Sequence, residues 1–159
     1  MPRLACAALL LCLPFLANCA GDSSPLETSS TSMVASMSEA KAAARQISQY
    51  RAANGLGGVT VDERLNRAAE HQARAIAVTG VLSHGELTSR MAAYGIRGYR
   101  AENLAAGSDS VEDVIARWKA SPGHNQNMLL PQVTKVGLAR VDSPGKGYGR
   151  YWALVLSSQ

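Results

Sequence analysis

The sequence has no cysteine beyond position 19. Its three cysteines, Cys6, Cys12 and Cys19, all lie near the amino terminus. Residues 20–159 can therefore form no disulfide, although small exported domains often depend on such bonds. A domain of roughly 120 residues buries enough apolar surface to fold on its hydrophobic core alone.

The sequence is also poor in aromatic residues, and no block of like charge interrupts it. Aromatic residues make up 5% of the chain, with Phe15 as the single phenylalanine, and the net charge is +4. The basic residues are scattered among acids, so no electrostatic stripe or stacking platform for nucleic acid is present. We therefore expect no nucleic-acid partner.

No apolar run is long enough to cross a bilayer. Met1-Pro2-Arg3 is followed by an apolar segment from Leu4 to Leu16, about 13 residues where a spanning helix needs about 20. A short cationic start before such a segment is typical of an export signal, and we predict a signal peptide over residues 1–18. A buried N-terminal helix is the alternative, disfavoured because no polar face interrupts the segment.

The segment Leu16-Ala17-Asn18-Cys19 resembles the lipobox of bacterial lipoproteins. Cleavage before Cys19 and acylation of its thiol would anchor the mature chain to a membrane. Asn18 departs from the small residue usual there. A soluble secreted product, cut after Ala20, is the alternative, but Asn18 is unfavourable three positions before that cut. We expect an exported, lipid-anchored protein of the bacterial envelope, and Ala20 favours the outer membrane or periplasm.

The remainder divides into a Ser/Thr-rich tether and one domain. Residues 19–35 lack periodicity and are predicted to be flexible, and the domain is placed at residues 36–159. Helices are predicted from the capping box Ser36–Glu39, from Asp62 to Gly80, over Thr88–Tyr94, and after Ser110. Strands are predicted at Tyr99–Ala106, Lys135–Val141 and Tyr148–Leu156. Helices first and strands last predict an α+β fold with a small, mainly antiparallel sheet.

His124 stands out because a helix stop precedes it. The helix after Ser110 carries an apolar stripe that ends at Trp118, and Pro122-Gly123 breaks it. His124 then begins another helix, held by the backbone around it. A histidine that merely caps the backbone is the alternative.

Five blocks, in order along the chain, resemble the CAP superfamily, which includes cysteine-rich secretory proteins, antigen 5 and pathogenesis-related 1. The blocks are Gln46–Leu56, Val61–Ala69, Ser83-His84, Ala101-Glu102-Asn103-Leu104, and Trp118–Leu129, with Tyr151-Trp152 similar to the last strand. The match runs from about Ala40 to Leu156.

The resemblance implies a three-layer α-β-α sandwich with a cleft where His84, Glu102 and His124 converge. Two neutral imidazoles with an open position suit Zn²⁺, so His84 and His124 are the candidate metal ligands. Ser121, Asn103 and Tyr99 are assigned to the cleft wall, and simple packing is the alternative for Tyr99.

Departures from the family pattern bear on activity. Ser121 stands where the eukaryotic pattern has a second glutamate, and Ala101 replaces a glycine. No catalytic residue is assigned, and Glu102 is the candidate; its alternative role is structural, bonding the backbone or a histidine. We expect a monomeric binding module, zinc-dependent or not, for a small hydrophobic ligand, a cell-wall fragment or a partner protein. A metal-dependent hydrolase of peptide or envelope polymer is the alternative.

Overall fold

Residues 25–144 and 147–159 are described by a computed structural model, with side chains from residue 37 onward. The helices are α1 (Pro25–Ala53), α2 (Glu63–Thr79), α3 (Leu87–Ala93), α4 (Val111–Ala120) and α5 (Pro122–Met128). The strands are β1 (Thr60–Val61), β2 (Arg100–Ala106), β3 (Lys135–Asp142) and β4 (Arg150–Ser157). The predicted signal peptide and Cys19 lie outside the described residues.

The strands form one sheet in the order β1-β3-β4-β2. β4 pairs antiparallel with both β2 and β3, while the two-residue β1 pairs parallel with β3. The prediction of a mainly antiparallel sheet is therefore confirmed. β2 stands last in this order and is therefore an edge strand. The site described below is built around it.

Helices cover both faces of the sheet. Along β4, Trp152, Leu154 and Leu156 belong to the core shared with α1, α4 and α5. The alternate residues Tyr151, Ala153 and Val155 belong to the core shared with α2 and α3. Side chains on a strand point alternately to its two faces, so a strand this apolar must be covered on both. The three-layer α-β-α arrangement follows, as expected.

Local signals fix the ends of the helices. The Asp62 carboxylate accepts from the backbone N–H groups of Arg64 and Leu65, and Gly80, with φ of 70°, caps the carboxyl end of α2. The Ser110 hydroxyl accepts from the N–H of Asp113 and caps α4. Both caps agree with the predicted helix starts.

Gly137 allows α2 to lie directly on the sheet. A Cβ at this position of β3 would stand 2.2 Å from the backbone nitrogen of Asn66. The Asn66 side chain in turn accepts from the Leu138 N–H at 3.1 Å. Helix α2 and β3 are therefore in backbone contact, which holds the layer that carries the loop of His84.

The start of α1 differs from the prediction. The capping box places it near Ser36, whereas the helix begins at Pro25, so residues 25–35 are helical and not a tether without regular structure. Proline is accepted in the first helical turn, and no glycine or further proline follows before Asn54. The helix is stabilised by the packed residues after Glu39, and no helix-breaking residue between Leu26 and Glu39 stops it from extending toward the amino terminus. Among the described helices, none has the length and apolar character needed to span a bilayer.

Candidate functional site

The site is built around the edge strand β2. Leu104 and Ala106 pack in the core on the α2 and α3 side, whereas Ala101 and Ala105 pack on the α1, α4 and α5 side. By this alternation Glu102 faces the first side and Asn103 the second. The two residues therefore connect the layer that carries His84 with the layer that carries His124.

Glu102 is the buried centre of the site. Its side chain has no solvent exposure, and its Oε1 lies 2.8 Å from Nδ1 of His84. Its Oε2 accepts from the guanidinium of Arg90, whose side chain is 7% exposed. Arg90 also donates to the carbonyl oxygen of His84 at 3.1 Å. Both carboxylate oxygens are thus engaged, and Arg90 supplies the opposite charge that a buried carboxylate requires.

His124 lies on the other side of β2, at the start of α5. The structure has the predicted break and second helix, but the break lies at Ser121, and Pro122 and Gly123 already belong to α5. Nδ1 of His124 lies 2.9 Å from the Ser121 hydroxyl. Burial, the nearby His84 and the Arg117 guanidinium lower the pKa of His124 below its ordinary value of 6.5. The neutral imidazole, which is the form able to bind a metal, is therefore favoured.

Two amide side chains connect the two histidine-bearing layers. Asn103 donates to the carbonyl oxygen of His124 at 3.0 Å. Asn127 donates to the side-chain oxygen of Asn103 at 2.9 Å and to the carbonyl oxygen of Glu102 at 3.3 Å. This chain of bonds fixes α5 against β2, so the position of His124 is set relative to Glu102.

Two residues near the carboxyl end of α1 hydrogen-bond to α5 and to the segment that follows it. The Tyr50 hydroxyl donates to the side-chain oxygen of Asn125 at 2.8 Å. Arg51, which is 1% exposed, donates to four backbone carbonyl oxygens. These belong to Gly57, Met128, Leu130 and Val133, at 2.7 to 2.9 Å. One guanidinium therefore holds the segment that leads from α5 to β3.

Side chains from α4 and α5 cover the free edge of β2. Asn127, Trp118 Nε1 and Arg117 donate to the carbonyl oxygens of Glu102, Leu104 and Ala106, respectively. An edge strand otherwise offers such groups to another strand. With these acceptors occupied, the three carbonyl groups are not available to pair with another strand.

Among the described residues, the hydrogen bonds of both site imidazoles involve Nδ1, and none involves Nε2. Nδ1 of His84 is held by Glu102 and Nδ1 of His124 by Ser121, as in the outer shell that orients metal-binding histidines. Within the described residues, however, no group of three or more His, Cys, Asp or Glu side chains could hold a metal ion. Catalytic zinc sites use three protein ligands, and His84 and His124 alone do not make up such a set.

Most of the predicted site residues are joined by these contacts. His84 contacts Glu102, Ser121 contacts His124, and Asn103 joins the two pairs. Tyr99 lies just before β2, 53% exposed, and its backbone N–H bonds the Ser158 hydroxyl; none of the contacts above includes its side chain. Arg90 was not predicted, and no local pattern in the sequence marks it as the partner of a carboxylate twelve residues away.

Comparisons with known proteins agree with this fold. The sequence profile described as the cysteine-rich secretory protein family, CAP, matches residues 44–156. The uncharacterized protein YkwD of Bacillus subtilis is 30% identical over 99 residues, which are 58% of this chain and 38% of YkwD. The chain thus spans well under half the length of that relative.

Three solved structures share the fold at low sequence identity. An outer surface protein of Borrelia burgdorferi is 18% identical with a TM-score of 0.65, over 72% of this chain and 88% of that one. A cysteine-rich secretory protein of Staphylococcus aureus is 14% identical with a TM-score of 0.66, over 78% and 39%. An extracellular protein of Bacillus anthracis that contains an SCP domain is 17% identical with a TM-score of 0.69, over 88% and 45%. The profile match and these folds agree with the resemblance inferred from the five sequence blocks, and the chain belongs to the CAP family.

Proposed function

We propose that this chain is an exported ligand-binding module whose binding site is the imidazole pair His84 and His124. The observation that supports binding over hydrolysis is the engagement of Glu102. Both of its carboxylate oxygens are bonded, one to His84 and one to Arg90. A general base must come within hydrogen-bond reach of the proton that it abstracts; the oxygens of Glu102 instead reach His84 and Arg90, and we infer that this carboxylate orients His84.

A weak divalent-metal site is part of the proposal. The second ring nitrogens of His84 and His124 would hold Zn²⁺, with Glu102 and Ser121 orienting the rings. A zinc ion held by two imidazoles keeps positions open for donor atoms of a ligand. The ligand classes that we propose remain a small hydrophobic molecule, a cell-wall fragment or a partner protein.

Export and anchoring complete the proposal. The apolar segment Leu4–Leu16 and the lipobox at Cys19 support a lipid anchor in a bacterial envelope, with the outer membrane favoured. Metabolic labelling with an alkyne fatty acid would test it, with Cys19→Ser as the control. We expect labelled protein in the membrane fraction; label that persists in Cys19→Ser would contradict the anchor.

Calorimetry with Zn²⁺ near neutral pH tests the imidazole pair. Wild type should bind weakly, His84→Ala and His124→Ala should each lose binding, and His71→Ala is the matched control because His71 is the third and exposed histidine. Equal binding by the double variant His84→Ala/His124→Ala would overturn the metal part of the proposal.

Substrate libraries of peptides and cell-wall fragments test the hydrolase alternative. We expect no turnover above the level of the His84→Ala/His124→Ala variant. Hydrolysis that disappears in His124→Ala, while the unfolding midpoint of that variant is unchanged, would instead show that the protein is an enzyme.

A further inference from the structure

An exposed apolar surface lies outside the imidazole site. It consists of Val78, Val81, Leu82 and Tyr148, which are 82%, 60%, 46% and 67% exposed, respectively, and we refer to it as the end patch. Three of these residues lie on the last turn of α2 and in the loop that follows it. Single exposed apolar residues are ordinary, whereas a contiguous group points to an interaction surface.

The two segments of the end patch meet at the hydroxyl of Tyr151. The Tyr148 N–H donates to this oxygen at 3.4 Å. A Cβ placed on Gly80, which directly precedes Val81, would stand 3.9 Å from the same oxygen. The loop after α2 and the turn before β4 are therefore neighbours at one end of the sheet.

The chemistry of the end patch suits a membrane surface. Residues 75–83 contain no charged side chain, and residues 143–149 contain Lys146 as their one charged residue. No carboxylate lies in these segments, and the two nearby ones, Asp142 and Asp109, are both paired with Arg150, so little unpaired negative charge would meet anionic lipid head groups. Tyrosine is enriched at the membrane–water interface because its ring is apolar and its hydroxyl polar.

The chain enters the domain at this same end. Glu39 on α1 pairs with Arg140 near the end of β3, whereas Arg51 contacts Val133, just before β3 begins. α1 therefore runs antiparallel to β3, and residues 25–38 continue past the edge where the β3–β4 turn lies. At a rise of 1.5 Å per residue this stretch is roughly 20 Å long. The helix thus leads toward Cys19 from the end that carries the patch.

We propose that the end patch contacts the lipid bilayer in which the chain is anchored. This inference rests on the acylated Cys19 of the proposed function. Residues 25–38 leave the domain on the side of the end patch, and the six residues 19–24 join them to Cys19, so the anchor keeps this end of the domain near the bilayer. Contact with the end patch would fix the orientation of the domain on the membrane.

Depth-dependent quenching in vesicles tests the contact. The mature lipoprotein has no free thiol, because Cys19 is acylated and Cys6 and Cys12 are removed with the signal peptide. Val81→Cys, Tyr148→Cys and the control Ala53→Cys can each be labelled with bimane in the full-length lipoprotein. Ala53 is exposed at the opposite end of α1. The proteins are then reconstituted in phosphatidylcholine–phosphatidylglycerol vesicles, with and without brominated acyl chains.

We expect bromine quenching at positions 81 and 148 to be at least twofold stronger than at 53. Adding Leu82→Asp to the Tyr148→Cys protein should reduce its quenching while the protein still floats with the vesicles.

Equal quenching at all three positions in protein that floats with the vesicles would overturn the contact and leave the anchor standing. Protein that does not float with vesicles would overturn the anchor and the contact together. Bimane that is shielded from water but insensitive to bromine would show that a second copy or a partner protein covers the patch, which also overturns the inference.

Discussion

Arg90 and Glu102 form a buried ion pair whose side chains are 7% and 0% exposed. The second carboxylate oxygen holds Nδ1 of His84, which is half exposed. When that nitrogen carries the proton of the neutral ring, Nε2 is left unprotonated, which is the form able to accept a hydrogen bond or bind a metal. Arg90, which the sequence did not single out, therefore stabilises the Glu102 carboxylate, and that carboxylate orients His84.

Removing Arg90 should destabilise the fold strongly. Arg90→Met leaves the Glu102 carboxylate buried without its counter-charge, which costs about 3–5 kcal/mol in comparable pairs. Urea unfolding would measure the loss, and Glu102→Gln should cause a similar one because it leaves Arg90 uncompensated. The double variant should be more stable than the sum of the two losses predicts.

The matched control is Arg67→Met. Arg67 forms an exposed i,i+4 pair with Glu63 at 4.0 Å, on the helix that precedes the site. Its unfolding midpoint should be unchanged, because exposed pairs contribute little. Equal losses in Arg90→Met and Arg67→Met would show that the Arg90–Glu102 pair has no special role.

Arg51 should be as important as Arg90, although it has a different kind of partner. Its guanidinium bonds four backbone carbonyl oxygens, so Arg51→Met would leave buried acceptors unsatisfied. We expect a loss of about 3 kcal/mol or more in urea unfolding, since each buried acceptor left unpaired costs about 1–3 kcal/mol. Arg51→Lys should recover only part of it, because an ammonium cannot reproduce the fork of donors. Arg45→Met, exposed on the same helix, should unfold as wild type does.

The titration of His124 should respond to its neighbours. NMR of the ring Hε1 should give a pKa below 6.5, and His84→Ala or Arg117→Ala should each raise it, because each removes positive charge nearby. His71→Ala should leave it unchanged. A wild-type midpoint at or above 6.5 would contradict the burial of His124.

The same shift predicts how stability depends on pH. Between the lowered pKa of folded His124 and about 6.5, the unfolded chain binds more protons than the folded chain. The contribution of His124 is therefore fully present above pH 6.5 and is lost as the pH falls through the folded pKa. Urea unfolding of wild type and His124→Asn at pH 7 and pH 5 would measure it. The fall in stability with pH should be smaller in the variant.

The sequence predicted the elements that local signals control. Asp62 and Ser110 cap α2 and α4, and Pro122 places His124 in a new helix, because capping and helix breaking act over a few residues. The same local reasoning missed the true start of α1. The capping box at Ser36–Glu39 can begin a helix, but no helix-breaking residue directly before it prevents the helix from starting earlier, at Pro25.

The two buried arginines could not be predicted in this way. Arginine is usually exposed, so pattern analysis assigns it to the surface. Arg51 reaches Val133 across 82 positions, and Arg90 reaches Glu102 from another element. Such partners meet only through the tertiary fold. The family resemblance brought His84, Glu102 and His124 together, but it did not identify the cation that stabilises Glu102.

Two glycine substitutions should have opposite effects. Gly137→Ala would place a Cβ 2.2 Å from the backbone of α2, so the helix must move away from the sheet. We expect severe destabilisation or failure to fold, since neither backbone can yield without loss of core packing.

Gly123 lies in α5, and a Cβ there would meet nothing within 4 Å. Gly123→Ala should stabilise the protein by about 0.4–1 kcal/mol, because alanine loses less backbone entropy in a helix. If Gly137→Ala unfolds at the wild-type urea concentration, the close packing of α2 on β3 is wrong. If Gly123→Ala instead destabilises, residues 122–124 do not adopt the helix that positions His124.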